Sequence, residues 1–361
     1  MDTIGIVIAA VDEEAVQQQE IKIQRRRLRD TCNPFDLDAT LFRKNFRLNK
    51  DAFKYVLEEL EAELEPGVLS TSMTPICRLS AVLRFLAEGG YQLGTGNDFK
   101  NAMAQSTIST NLSKVLQILE RKLCPKWINL NMNDVETIEA KGEFYSKAGF
   151  PSVVMCVDGT HINIVAPAQE KALFYNRKGN FSLNVMLICD HKMKIRCVDA
   201  KYPGSNHDSH IWNLSNAKMH FKKKYDEGER NTWLLGDAGY PLEPWLMTPF
   251  RCVGDDRSKT KYNISHSKTR NIIERTIGVL KNRFRCILGA RQLHYSPQKA
   301  AQIVNVVCAL HNICIHFKVE NYLDTIPEVS LNEEIHQGEH DQQTYRNAAN
   351  TIRENIKNTF I

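Results

Sequence analysis

The chain has 361 residues, of which 42% are hydrophobic and 25% charged, with a formal net charge of +5. That is the composition of an ordinary soluble globular protein, long enough for one large or two modest domains with a sizeable core. The ten cysteines contain no C-x-x-C pair, which excludes the usual zinc spacing. They read as reduced core thiols of an intracellular protein.

The apolar start, Ile4 to Val11, is bounded by Asp2 and by Asp12, Glu13 and Glu14. It lacks a basic flank and is too short to span a bilayer, so neither a signal peptide nor a membrane anchor is expected. Basic residues concentrate in Lys22 to Lys50 and again in Arg257 to Arg291. Charge gathered in this way favours a polyanionic partner, whereas the total alone would not. The run Gln24-Arg25-Arg26-Arg27-Leu28-Arg29 is a weak import signal, giving an expected location in the nucleus and also the cytoplasm.

Apolar spacing predicts helices over Asp51 to Leu64, Pro75 to Glu88, Asp98 to Ala104, Ser106 to Lys122 and Asp134 to Ala148. The stretch from Asp98 to Leu112 resembles the turn and second helix of a helix-turn-helix. Ser106 would be its N-cap, and Ser109, Asn111 and Lys114 would face DNA. Near Pro151 the pattern turns to strands: Ser152 to Val165, Ser182 to Cys189, Lys194 to Ala200 and Thr232 to Gly236. Asp190-His191-Lys192 reads as a hairpin turn. A long helix is predicted from about Thr269 to Leu288 and another from about Pro297 to Phe317. The division is a helical region, 1–149, an α/β domain, 150–318, and a weakly ordered tail, 319–361, with a short helix near its end.

Four acids stand in unusual company. Asp158 interrupts an apolar strand rich in β-branched residues, where an uncompensated carboxylate is costly. Asp208 follows the turn Tyr202-Pro203-Gly204-Ser205-Asn206-His207, Asp237 closes a strand in LLGDAGYPL, and Glu274 sits on the long helix. At about 100° per residue, Ile273, Ile277, Leu280, Phe284 and Ile287 form one apolar stripe of that helix. Arg270, Glu274, Gly278, Lys281 and Arg285 form a second beside it. Such a stripe alone reads more readily as an exposed salt-bridge face. Carboxylates brought together raise one another's pKa unless a cation offsets them, and hard oxygen ligands suit Mg²⁺ or Mn²⁺. Strand, hairpin, strand, strand with a terminal aspartate, then a helix glutamate, is the layout of an RNase H-like nuclease core.

The segments VDGTHI, YPGSNHDSHIW, LLGDAGYPL and NIIERTIGVLKNRFRCI, in that order, resemble the DDE transposase domain of the PIF/Harbinger superfamily, and most of all its Harbinger transposase-derived nucleases. The resemblance spans about Pro151 to Phe317. It implies an α/β fold with an RNase H-like DDE core behind a helical N-terminal module, and divalent-metal-dependent cleavage of DNA. It also implies metal ligation by Asp158, Asp208, Asp237 and Glu274, with Asp158, Asp237 and Glu274 as the catalytic trio. Asp208 is also readable as an acid at a helix N-terminus, and Asp199 is a competing carboxylate. His161, His207 and His210 are candidates for orienting ligands or water. Arg270, Lys281 and Arg285, with Arg275 and Arg283, are candidates for DNA phosphates. The family's transposases use a Myb-like DNA-binding partner, which the resemblance extends to this chain. Two functions stay open: a nuclease or full transposase, and a domesticated DNA- or protein-binding factor that no longer cuts.

Overall fold

The computed structural model describes residues 3–64, 73–97, 102–289, 292–320 and 343–360. Their contacts form two compact units, Met1–Leu119 and Glu120–Ile361.

The first unit is helical: α1 (Thr3–Thr31), α2 (Ala39–Phe46), α3 (Lys50–Glu61), α4 (Pro75–Glu88), α5 (Gln92–Asn97) and the first part of α6 (Gln105–Trp127). Caps set the helix ends. Asp38 and Asn49 accept backbone N–H bonds at the starts of α2 and α3. α4 begins with Thr74 as cap and Pro75 in its first turn, and stops at Gly89 in the left-handed region. The rings of Phe35, Phe42, Phe46 and Phe53 pack edge-to-face, tilted or stacked at 4.9 to 5.8 Å.

The predicted helix Asp98 to Ala104 is not formed where it can be followed. Residues 98–101 lie outside the described residues, and 102–104 are non-helical, with Ala102 at φ 43°. Asn111 is also turned inward. It is 5% exposed and its amide donates to Met73 Sδ at 3.4 Å, so it does not present itself to a DNA groove. Ser109 and Lys114 are exposed. The apolar spacing that drives α6 carries Asn111 onto the buried side beside Leu112 and Val115.

The second unit holds α7 (Asp134–Ala148), β1 (Val153–Asn163), β2 (Ser182–Cys189), β3 (Ile195–Pro203), α8 (Asp208–Asn213), α9 (Asn216–Asp226), β4 (Trp233–Leu235), β5 (Leu246–Met247), α10 (Arg257–Arg283), α11 (Pro297–His316) and α12 (Gln343–Lys357). The sheet order is β3-β2-β1-β4-β5. β1, β2 and β3 are antiparallel neighbours, while β4 runs parallel to β1 and β5 parallel to β4. The predicted hairpin turn is present: the buried Asp190 carboxylate accepts from Lys192 N, Lys194 N and Arg196 Nε.

α7 belongs to this second unit rather than to a helical region ending at 149. It packs on β1 and α10, and a capping box of Asn133 and Glu136 opens it. Every residue of β2 is buried, and α10 and α11 pack beside the sheet. α10 is longer at its start than its apolar stripe suggested and shorter at its end. It begins with Asp256 as cap, and Phe284 at φ −111° ends it. In the tail, α12 packs against α10, and 321–342 lie outside the described residues. Among the described residues no helix is long and apolar enough to cross a membrane.

Candidate active site

The parallel pairing of β1 with β4 runs Met155 to Leu234 and Cys156 to Leu235. Asp158 lies two residues further along β1, on the face of Cys156, and Asp237 lies two residues past the last residue of β4. The Asp237 carboxylate is near enough for its charge to act on Asp158. Asp237 leaves the strand in a turn in which its carboxylate accepts Gly239 N at 2.9 Å.

Asp208 arrives from the far side of β1. It opens α8, and its Oδ1 accepts from Asn184 Nδ2 at 2.8 Å. Gly159, next to Asp158, makes room for it: a Cβ on Gly159 would lie 2.3 Å from Asp208 Oδ1. α10 crosses β1 and brings Arg270 and Glu274. Arg270 Nη1 lies 3.2 Å from Asp158 Oδ2, and Nη2 pairs with Glu274 Oε1.

The electrostatics match this geometry. Burial pushes the Asp158 carboxyl up to about 7, opposed by Arg270 and reinforced by Asp237, Asp208 and Glu274. Burial also raises Asp208, which the Asn184 hydrogen bond partly offsets and Asp237 reinforces. Tyr240 is 3% exposed, and its hydroxyl has no hydrogen-bond partner among the described residues. Burial and then Asp208, Asp158 and Asp237 hold its phenol well above the ordinary range. Asn184 Oδ1 is likewise buried and unpartnered.

All four acids are oxygen donors of the kind that suit a hard divalent cation. Yet no three ligating side chains among the described residues are gathered at metal-binding spacing. The positive charge between Asp158 and Glu274 is the Arg270 guanidinium. The donor set fits a divalent ion in kind, and Arg270 holds the space between two of its members.

The basic candidates separate. Arg270 is committed to carboxylates. Lys281 is packed down on β1, donating to Thr160 Oγ1 at 2.7 Å and His161 O at 3.1 Å. Arg285 is exposed and lies in a 3-10 turn, Arg285–Ile287, beyond the end of α10. The continuous stripe from Arg270 to Arg285 is therefore broken at Phe284. His161 Nδ1 meets Ser182 Oγ at 2.9 Å, and the His207 ring meets Arg177 Nη2. Asp199 pairs with Lys201 at 3.4 Å. Gly159, Asn184 and Tyr240 carry no signal of a site in their own spacing. Only the position of Gly159 directly after Asp158 hints at a close approach.

Residues 157–312 match the family model described as DDE superfamily endonuclease. The "Putative nuclease HARBI1" of Bos taurus is 33% identical over 263 residues, which cover 72% of this chain and 73% of that protein. This chain belongs to the Harbinger transposase-derived nuclease family. The Homo sapiens protein of the same name is also 33% identical with the same coverage. "Protein ALP1-like" of Arabidopsis thaliana is 28% identical over 308 residues, covering 80% of this chain and 74% of that protein. No solved structure matches. Membership in the Harbinger-derived family implies an RNase H-like core for the mixed five-stranded sheet, and all four acids discussed above lie within the matched residues.

Proposed function

We propose that this chain is a divalent-metal-dependent DNA nuclease of transposase descent, with Asp158, Asp208, Asp237 and Glu274 as the residues that hold Mg²⁺ or Mn²⁺. The observation that carries the reading is the set of charges converging on Asp158: burial raises its pKa, one guanidinium opposes that, and three further carboxylates add to the rise. A fold that brings four acids within electrostatic reach of one another beside β1 does so at a cost in repulsion, and a bound cation relieves it. When bound, paired divalent ions activate water and stabilise the leaving oxygen at phosphorus.

The chain's own contributions are those of support. β1 and β4 hold Asp158 and Asp237 on rigid backbone, and Asn184 orients the Asp208 carboxylate. Glu274 is presented from α10 across the same edge. Arg270 balances the acids in the absence of metal and turns to a substrate phosphate when a cation takes its place. The exposed Arg285 and the surface of α6 around Ser109 supply contacts to the DNA backbone. The substrate places the protein in the nucleus, with a Myb-like DNA-binding protein as its targeting partner.

One observation favours a second reading, a non-cutting DNA- or protein-binding member. The Arg270 guanidinium already pairs with Asp158 and Glu274, so two of the four acids have a counter-charge without metal. Nicking of supercoiled plasmid in Mn²⁺ decides between them. The nuclease reading expects nicking by the parent and none by Asp158→Asn; equal nicking by both, or by neither, overturns it.

A further inference from the structure

Between β1 and β2 the chain makes a small hairpin that none of the carboxylate chemistry requires. Tyr175 and Phe181 pair across it, with ring centroids 5.4 Å apart. Its turn is built around Asn176, which is 3% exposed. Asn176 Oδ1 accepts from Lys178 N and Asn180 N, and its Nδ2 donates to Ser182 Oγ. The main chain closes the turn with Asn176 N to Asn180 O at 2.8 Å and Gly179 N to Asn176 O at 3.0 Å. Gly179, at φ +76°, supplies the left-handed residue such a turn needs. The hairpin is also anchored at its base, where Ser205 N donates to Leu173 O.

The turn is thus internally satisfied and rigid, and it carries side chains outward in fixed directions. Arg177 reaches His207, the cap residue directly before Asp208, and its charge is felt by Asp208. Lys178 lies close enough to Lys281 and His161 for its charge to act on both. Tyr175, next to these cations in the chain, is 53% exposed, and Leu173 is 47% exposed. Cations with an exposed aromatic ring, held rigidly at the edge of a carboxylate cluster, match the two chemistries of a nucleotide. The cations suit its phosphate and the ring suits its base.

We propose that the Tyr175–Phe181 hairpin grips a DNA strand that has one unpaired nucleotide beside the carboxylate site. Arg177 and Lys178 meet the phosphates on either side of that nucleotide, and Tyr175 stacks on its base. A fully paired duplex offers no open base face to Tyr175, so the hairpin makes the protein selective for locally opened or single-stranded DNA. This rests on the nuclease reading for its choice of ligand, and its test is separable from cleavage.

The test is binding by the full chain in EDTA, read by fluorescence anisotropy. It compares a short DNA duplex holding a mismatched base pair with a fully paired duplex of equal length. The parent is expected to prefer the mismatched duplex by roughly tenfold, the scale of one base–aromatic stack. Tyr175→Ala should lose that preference while keeping its affinity for the paired duplex, and Tyr175→Phe should retain it. Arg177→Ala with Lys178→Ala should weaken binding to both and lower the slope of log affinity against log salt by roughly 0.9 for each lost contact with duplex. A circular dichroism melt confirms that each variant is folded. A parent without the preference, a Tyr175→Ala variant that keeps it, or a double variant with the parent's slope overturns the proposal. Binding that behaves as expected in a protein that never nicks plasmid leaves this grip standing and removes the nuclease. Nicking with no preference for the mismatch does the reverse.

Discussion

Arg270 Nη1 lies 3.2 Å from Asp158 Oδ2, with both side chains largely withdrawn from solvent, 12% and 17% exposed. The same guanidinium pairs with Glu274 one helical turn along α10. One cation thus serves two carboxylates that have Asp208 and Asp237 as further negative neighbours. The net charge of this group of five side chains is negative when all are ionised, so the arrangement stores repulsion that a second cation would remove.

Removing the internal cation should expose that repulsion. Arg270→Ala is expected to lower stability at pH 8 by roughly 3 kcal/mol, the scale for breaking one side of a withdrawn ion pair. The loss should shrink at pH 5, where Asp158 is protonated. Mn²⁺ should raise the Tm of the variant more than that of the parent, because the variant's acids lack their resident counter-charge. A variant as stable as the parent at pH 8 and indifferent to Mn²⁺ would show that the acids are not electrostatically coupled.

Asp158 predicts a pH signature of the metal-free protein. Its folded-state pKa is raised from 3.8 to about 7, so between those values the folded chain holds a proton that the unfolded chain has released. The site's contribution is therefore complete below about pH 4 and is lost as pH rises towards 7. Asp158→Asn cannot lose it. In urea titrations in EDTA, the variant should gain stability over the parent as pH rises from 4 to 7 and keep the difference above 7. Parallel curves for the two proteins would contradict the raised pKa.

Gly159→Ala tests the close approach of Asp208 to β1. The new Cβ would sit 2.3 Å from a carboxylate oxygen that Asn184 holds. Either Asp208 swings away or the strand shifts, at an expected cost of about 1 to 3 kcal/mol. Mn²⁺-dependent nicking should fall with it, since Asp208 leaves the other acids. Asn184→Ala should release the Asp208 carboxylate and recover part of the lost stability in the double variant. Simple additivity of the two substitutions would show that they do not act on the same side chain.

The strands were legible because they rest on local rules, and so was the oddity of Asp158 and Asp237, whereas the roles of Asp208 and Glu274 came from the family resemblance. Apolar runs mark β1 and β2, with β-branched residues prominent in β1, Asp190 marks the hairpin turn, and the polar breaks at Asp158 and Asp237 interrupt runs that should be apolar. What stayed hidden depends on partners distant in the chain. Nothing around Arg270 reveals that it turns to Asp158 rather than outward, because that is set by where α10 crosses β1. Asn111 has the polarity of a groove contact, but the period of α6 rotates it onto the apolar face. Tyr240 and Asn184 look like ordinary strand-end and strand residues until the fold brings them beside Asp208. The assignment of α7 to the sheet's unit likewise follows from its packing on β1, which a change of residue pattern at Pro151 cannot report.

Lys281 and Arg285 were grouped by helical period, and their surroundings now predict opposite behaviour. Lys281 is packed on β1 with its ammonium donating to Thr160 and His161, and burial, then Lys178, pushes its pKa from 10.5 down to about 8. For a cation with a depressed pKa, the unfolded chain binds more protons between pH 8 and 10.5, so stability should rise with pH across that window. Lys281→Met should flatten that rise and, at pH 7, should stabilise the protein or leave it unchanged, because it removes a charge that burial disfavours. Arg285 is exposed beyond the end of the helix. Arg285→Ala should lower the slope of log affinity for duplex DNA against log salt by roughly 0.9. If Arg285→Ala keeps the parent's slope while Lys281→Met lowers it, the phosphate path runs over the β1 edge of α10 and not past its C-terminal end. In that case DNA must lift Lys281 off Thr160 to bind, and Thr160→Val, which removes the hydroxyl that holds the ammonium, should tighten binding.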